Sequence, residues 1–428
     1  MQRMSLESPM FNRQDEAMSF DMNCTTSSAL RFVIHPLSAV GVRPNELART
    51  MIPHPLIYQE LAHNPEYTLY NGRLTPAFLD HATADEMYWK VRREVILRHT
   101  GELPLEIVGP DAEVLLQRVF TRDVSTVRVG RCSYQFACYH DGGMITDGVL
   151  VRLAEDRFWF GQADGDLYSW FRAHALGLDV QVLNPDVWIS QVQGPRSLEV
   201  LEAVIDGPMP DRFNYFDMAE VSIANQPVVI TRTGFSNELG WEFYLTPDID
   251  AVAVGDRILS VGEDFGMIIT SADVFRARRI EAGLLNAGSD FDMTTTPFDV
   301  GLGGMVDFAK GDFSGRAALH AVADTLCRTW GMRVDGSVAS LGRVLVSRST
   351  GDVIGRVCSS GWSPFQGSGV AIVRFDSTDY GPDDIVGVAC IDGDDHEGVI
   401  CTLPMIDPDR LIPRGKLVDI PQPPLALA

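Results

Sequence analysis

Between Gly130 and Gly148 two short apolar runs meet at Asp141-Gly142-Gly143, with Tyr134 on the first run and Asp147 on the second. An Asp-Gly-Gly turn between alternating runs signals a β-hairpin. That hairpin carries Tyr134 and Asp147 towards one end of a sheet, a phenol and a carboxylate, which are side chains that donate and accept protons. Taken alone, the stretch reads first as an ordinary hairpin with a polar residue at a strand start. Three further stretches stand out: Gln193-Gly194-Pro195-Arg196-Ser197, which by itself is a helix start; Arg232-Thr233-Gly234-Phe235-Ser236-Asn237-Glu238-Leu239-Gly240-Trp241-Glu242-Phe243-Tyr244; and Arg279-Ile280-Glu281-Ala282-Gly283-Leu284. The last is followed by Thr296-Pro297-Phe298-Asp299-Val300-Gly301-Leu302 and by Asp312-Phe313-Ser314-Gly315-Arg316-Ala317-Ala318-Leu319.

Other chemistries lack their signatures. The chain has no phosphate-cradling GxxxxGK[ST] loop, no HExxH and no GxSxG, and Gly301-Leu302-Gly303-Gly304 lacks the dinucleotide-binding spacing. Seven cysteines include no CxxC pair, so zinc and iron–sulfur sites have no support and a reduced cytoplasmic setting is expected. With 35 Lys+Arg against 58 Asp+Glu, the formal charge of -23 disfavours nucleic acid and anionic membrane as partners. No run approaches the ~20 apolar residues of a membrane helix.

These residues must be positioned by more than one domain, since 428 residues exceed the usual single-domain length. Residues 1–55 are irregular and read as an N-terminal extension. From Thr75 to His99 apolar positions recur at helical spacing, with Asp85 and Glu86 early and Arg92, Arg93 and Arg98 late, which predicts a helix. Leu103 to Val108 predicts a strand, and Asp111 a helix N-cap. Short strands follow at Cys132–His140, Val149–Leu153 and Arg157–Phe160, a helix over Leu167–Ala175, and a strand pair over Val180–Val192. Strands are predicted again over Val221–Thr231 and Trp241–Leu245, and a helix over Ile249–Phe265. This mixture without strict alternation is α+β. Evenly spaced β runs after a boundary between His320 and Thr329 predict a small antiparallel barrel or sandwich.

In this order the stretches resemble the folate-dependent aminomethyltransferase family, of which the glycine cleavage T-protein is a member. Its pattern is similar to QGP, RTG(Y/W)(T/S)GExGxE(I/F)Y, RxEAG, TPxExGL and DFxGRxAL. The resemblance runs over about residues 65–405 and includes Ser360-Gly361-Trp362-Ser363-Pro364 and Thr402-Leu403-Pro404. Tyr67-Thr68-Leu69-Tyr70-Asn71, Ala154-Glu155-Asp156-Arg157-Phe158-Trp159 and Ala163-Asp164-Gly165-Asp166 look closer to its dimethylsulfoniopropionate demethylase branch. Methoxyaromatic O-demethylases share the scaffold.

The resemblance implies a three-domain disc around a tetrahydrofolate channel, with two intertwined α+β domains over 56–325 and a C-terminal β-barrel over 326–428. Glu242 matches the pterin-binding glutamate, Tyr244 and Tyr134 match ring-contacting positions, and Tyr215 is a looser match. Phe235 stands where the family has Tyr or Trp. Asp147 matches the essential aspartate at the reaction centre, with Thr146 in place of the usual preceding Asp. Val274-Phe275-Arg276 replaces Ala-Arg-Asp, leaving Arg276, Arg278 and Arg279 as candidates for the folate glutamate tail or, equally, as a solvated helix face. The implied activity is methyl transfer from a small-molecule donor to N5 of tetrahydrofolate. A sulfonium or methylated amine is favoured; O-demethylation, glycine-cleavage aminomethyl transfer and folate binding without catalysis are the alternatives. The acidic surface argues against docking an acidic carrier protein. No oligomeric state is indicated.

Overall fold

The computed structural model describes residues 31–32, 51–163 and 165–417, so most of the expected 1–55 extension lies outside the described residues. The chain begins with β1 (Arg31–Phe32), α1 (Ile57–Leu61), β2 (Glu66–Tyr70), β3 (Arg73–Phe78), α2 (Ala84–Arg93), β4 (Ile96–Thr100), β5 (Leu103–Val108) and α3 (Ala112–Val119). It continues with β6 (Cys132–Cys138), β7 (Met144–Ala154), β8 (Arg157–Gln162), α4 (Leu167–His174), β9 (Gln181–Leu183), β10 (Trp188–Gln193) and α5 (Ser197–Val204). Next come β11 (Met218–Ile223), β12 (Gln226–Thr231), β13 (Gly240–Leu245), α6 (Ala251–Glu263), β14 (Ile268–Ile269), α7 (Val274–Glu281) and α8 (Arg316–Ala321). The last strands are β15 (Thr329–Val334), β16 (Val344–Ser347), β17 (Val353–Ser363), β18 (Ser368–Phe375), β19 (Ile385–Ala389) and β20 (Asp395–Cys401).

Two sheets build the centre: a six-stranded one ordered β11-β12-β13-β10-β4-β14 and a five-stranded one ordered β6-β7-β8-β5-β9. β1-β2-β3 form a small third sheet, and the C-terminal strands close into a barrel, β15-β18-β17-β16-β19-β20. Each central sheet has one helix-covered face. Trp241, Phe243 and Leu245 of β13 pack towards Val200, Leu201 and Val204 of α5 and Val254, Ile258 and Val261 of α6. Leu150, Phe158 and Phe160 pack towards Leu115, Leu116 and Val119 of α3 and Leu167 and Phe171 of α4. Because side chains alternate along a strand, the residues between these must face the other way.

The expected helix over 75–99 is corrected to three elements. Arg73–Phe78 is a strand, and Pro76 within it lacks the amide a helix interior needs. The helix starts at a capping box, in which Glu86 N donates to Thr83 Oγ1 (3.2 Å) and Thr83 N to Glu86 Oε2 (2.8 Å). It ends at Arg93, and the apolar run Val95-Ile96-Leu97 enters the centre of a sheet. Asp111 stands at its predicted cap position, but its carboxylate accepts Asp179 N instead. The two strands expected over 180–192 exist but do not pair: β9 adds to β5, while β10 lies between β13 and β4. Asn184-Pro185-Asp186, with Asp186 at φ 51°, passes the chain from one sheet to the other.

Candidate functional site

The uncovered faces of the two central sheets meet. Cys132, Val151 and Trp159 of the five-stranded sheet pack against Ile189 and Tyr244 of the six-stranded one, with Trp159 and Tyr244 stacked at 5.6 Å between centroids. Two residues further along β6, β10 and β13, and four along β7, the same faces turn polar. On β6 and β7 the step leads to Tyr134 and Asp147. On β13, β10 and β4 it leads to one cross-strand row, Glu242 opposite Gln191 and Gln191 opposite Arg98, with Thr231 of β12 opposite Glu242. The hairpin and the RTG strand therefore face one interior space.

Tyr134 donates its hydroxyl to Asp147 Oδ2 at 2.6 Å, a diagonal contact across the β6–β7 register. Asp147 is 6% exposed, and burial, with Asp290 nearby, raises its carboxyl to about 6 against the hydrogen bonds that lower it. Burial and the adjacent carboxylate push the Tyr134 phenol well up, so Tyr134 holds its proton and donates. Asp147 then titrates just below neutrality, ionised yet able to take a proton.

Glu242 is buried. Its Oε1 accepts Gln191 Nε2 at 2.7 Å, and its Oε2 accepts the hydroxyls of Thr233 and, at 3.4 Å, Thr231. Glu102, just ahead of β5, feels the charges of Glu242, Arg98 and Asp147. Burial pushes both glutamates up, and at Glu102 the charge of Glu242 adds to the rise. Arg98, Glu102 and Tyr134 lie deep in the molecule yet keep part of their surface uncovered, as groups lining an interior channel do.

Gln193, read from sequence as part of a helix start, is the lock of this site. Its Nε2 donates to Thr233 O (3.1 Å) and its Oε1 accepts Ser236 Oγ (2.6 Å), while a Cβ at Gly234 or Gly240 would land inside its amide. The two motifs belong together because one side chain fills the space that two glycines leave. Phe235 sits half-buried on that held loop. Tyr215 lies deep but part-uncovered, with Arg410, Arg414, Glu242 and Asp407 as its nearest charges. Tyr244 is 1% exposed and shares its face with Glu242.

The structure does not bring the three helix arginines to one place, nor does it make them a solvated face. Arg278 is fully buried between Glu238 (2.7 Å) and Glu281 (2.8 Å). Arg279 Nη1 pairs with Asp290 at 2.6 Å and its Nη2 donates to Ser359 Oγ at 2.7 Å. Arg276 points outwards and pairs with Asp273.

Residues 55–310 match the family described as the GCVT N-terminal domain. The chain belongs to the folate-dependent aminomethyltransferase family. It is 34% identical to the trimethylamine-oxide aldolase of Ruegeria pomeroyi over 81% of its own length, spanning only 46% of that protein. To the same organism's dimethylsulfoniopropionate demethylase DmdA it is 29% identical, over 76% of this chain and 90% of the demethylase. An aminomethyltransferase of Streptomyces coelicolor is 32% identical over 67% of this chain and 78% of that one. The aminomethyltransferase T structure from Bartonella henselae superposes with a TM-score of 0.76 at 22% identity, covering 83% of this chain and 98% of that one. The fold is thus that of the glycine cleavage T-protein, with the expected barrel present as a closed six-stranded one.

Members of this aminomethyltransferase family are tetrahydrofolate-dependent enzymes, and the residues present here fit that molecule. Among the described residues Gln191 Oε1 is a buried acceptor without a partner, and it stands beside the Glu242 carboxylate. Acceptors in that arrangement suit the adjacent N–H donors of an amino-pyrimidinone edge. The remaining family motifs are structural pins. Glu281 accepts Tyr88 (2.8 Å), Arg278 and Ser363; Asp299 pairs with Arg328 (2.8 Å); Ser314 Oγ donates to Cys138 O (2.8 Å) and fixes the hairpin beneath Asp147. Sequence reading missed Arg98, Glu102 and Gln191 as site residues. Arg98 was masked by the apparent helical period, and only register reveals Gln191.

Proposed function

We propose that this chain moves a methyl group from a small sulfonium or methylated-amine donor to N5 of tetrahydrofolate. The observation that carries this reading is the nearness of Asp147 and Glu242 to Glu102 between the two sheets, a setting in which the ionised Asp147 favours a cationic guest and Glu242 with Gln191 a donor-rich ring. Glu242 and Gln191 would hold the pterin edge. When bound, tetrahydrofolate supplies the nitrogen lone pair that forms the new N5–C bond while the donor's C–S or C–N bond breaks, its electron pair leaving on a neutral thioether or amine. Such a leaving group needs no proton from the protein, and Tyr134 has its hydroxyl engaged on Asp147. Asp147 steadies positive charge near N5, and its oxygen takes the proton that N5 releases. The two sheets keep water out and fix the line of transfer.

Turnover of tetrahydrofolate with a panel of methylated sulfonium and ammonium compounds, read by mass spectrometry, tests this. Appearance of 5-methyltetrahydrofolate with loss of one donor methyl is expected. A 5,10-methylene product would instead support aminomethyl transfer, the activity named for the Streptomyces relative.

A further inference from the structure

Arg98 is the unusual cation of this molecule. It stands in the row with Gln191 and Glu242, and among the described residues its buried Nε donates to nothing and no carboxylate lies within ion-pair distance of it. The other deep arginines are engaged: Arg92 with Glu238 (2.6 Å), Arg278 with Glu238 and Glu281, Arg279 with Asp290, and Arg73 with the carbonyls of Glu102 and Val187.

No acid around Arg98 pairs with it directly among the described residues, Glu242 in the same row acting only as a charge across Gln191. Asp273 is taken by Arg276 at 2.8 Å. Glu60 accepts the Tyr67 hydroxyl (2.8 Å) on one oxygen, its other oxygen has no partner among the described residues, and burial raises it to about 8, which favours the protonated form at neutral pH. Glu102 is pushed the same way. A guanidinium stays charged under all ordinary conditions, and a buried unpaired charge is costly unless something else supplies the counter-charge. The Phe275 ring, 5.1 Å from the guanidinium carbon, supports it without cancelling the charge. Glu102 feels both Arg98 and Asp147, so this cation borders the space where the chemistry is placed.

We propose that Arg98 anchors an anionic group of the methyl donor, and therefore that the donor is a zwitterion: a carboxylate on Arg98 and a methylated cation towards Asp147. The methyl-transfer half rests on the function proposed above; the carboxylate anchor stands by itself. The planar guanidinium suits a carboxylate, which it can meet with two parallel hydrogen bonds.

Binding calorimetry separates the two halves. Glycine betaine and choline carry the same trimethylammonium group and differ in ending with a carboxylate or a hydroxyl. Dimethylsulfoniopropionate and its methyl ester form a second pair. Wild type is expected to bind the carboxylate member at least about 30-fold more tightly in one pair, the value of a charge-assisted hydrogen-bond pair. Arg98→Gln should erase that preference and Arg98→Lys should restore part of it, with the loss on the carboxylate member exceeding any change in tetrahydrofolate affinity. Without ligand, Arg98→Met should melt no lower than wild type, since an uncompensated charge has been removed. The proposal is overturned if wild type shows no preference in either pair, if Arg98→Gln keeps it, or if the loss falls on tetrahydrofolate. An Arg98-dependent preference with no 5-methyltetrahydrofolate formed would uphold the anchor and sink the methyl-transfer reading.

Discussion

Replacing Asp147 with Asn should make the protein more stable and less active, with the size of the gain set by pH. The folded-state carboxyl sits at about 6 against an ordinary value of 3.8. The stability tied to its protonated form is thus complete below pH 3.8 and lost as pH rises through 6. The shift of about two units corresponds to about 3 kcal/mol at pH 8 and to about half of that at pH 5, where the folded carboxyl is still mostly protonated. An Asn imitates the protonated acid, and its carbonyl oxygen can still accept the Tyr134 hydroxyl. With an unfolding entropy of about 2.1 cal/mol/K per residue, the variant should melt about 3 °C above wild type at pH 8 and about half as far above it at pH 5. Turnover should drop by about two to three orders of magnitude, since the developing positive charge loses its counter-ion. Scanning calorimetry at the two pH values, beside the methyl-transfer assay, measures both. A variant that melts below wild type at both pH values, or whose gain is larger at pH 5, would refute the reasoning.

Tyr134→Phe removes a hydrogen bond that holds the Asp147 carboxyl down, so the acid limb of the pH–rate profile should move above 6; an unmoved limb would separate the limb from Asp147. Glu242→Gln puts a neutral amide where Gln191, Thr231 and Thr233 all donate, and calorimetry should show tetrahydrofolate binding weakened about 100-fold or more. Gly234→Ala forces a methyl into the Gln193 amide, which Thr233 and Ser236 hold in place. It should destabilise the protein by about 1–3 kcal/mol and lower its melting temperature by a few degrees.

The hairpin with Tyr134 and Asp147 was legible because an Asp-Gly-Gly turn and alternating apolar residues fix its pairing locally. Strand β13 was legible for the same reason: Trp241, Phe243 and Leu245 take one face and leave Glu242 and Tyr244 on the other. Arg98 was not, since three elements laid end to end imitated one helix, and no local signal tells a strand's arginine from a helix's last turn. Gln191 lies 51 positions before Glu242, and its place opposite that residue is a matter of tertiary register. Sequence left Arg276, Arg278 and Arg279 open between a ligand-holding group and a solvated helix face, because only the fold supplies the acids that Arg278 and Arg279 pair with: Glu238 and Glu281 for the one, Asp290 for the other.

Glu281 has a consequence for how such a chain can be inherited. Its carboxylate takes hydrogen bonds from Tyr88, far upstream, and from Ser363 in the barrel, while its backbone oxygen accepts the amides of Met405 and Ile406. Severing the barrel by truncation would leave a buried anion facing fewer donors, and grafting a foreign barrel would succeed only if it brought a hydroxyl to the same point. A crossover between α7 and the C-terminal strands would therefore have to carry the partners of Glu281 together, or break the contact that ties these three regions.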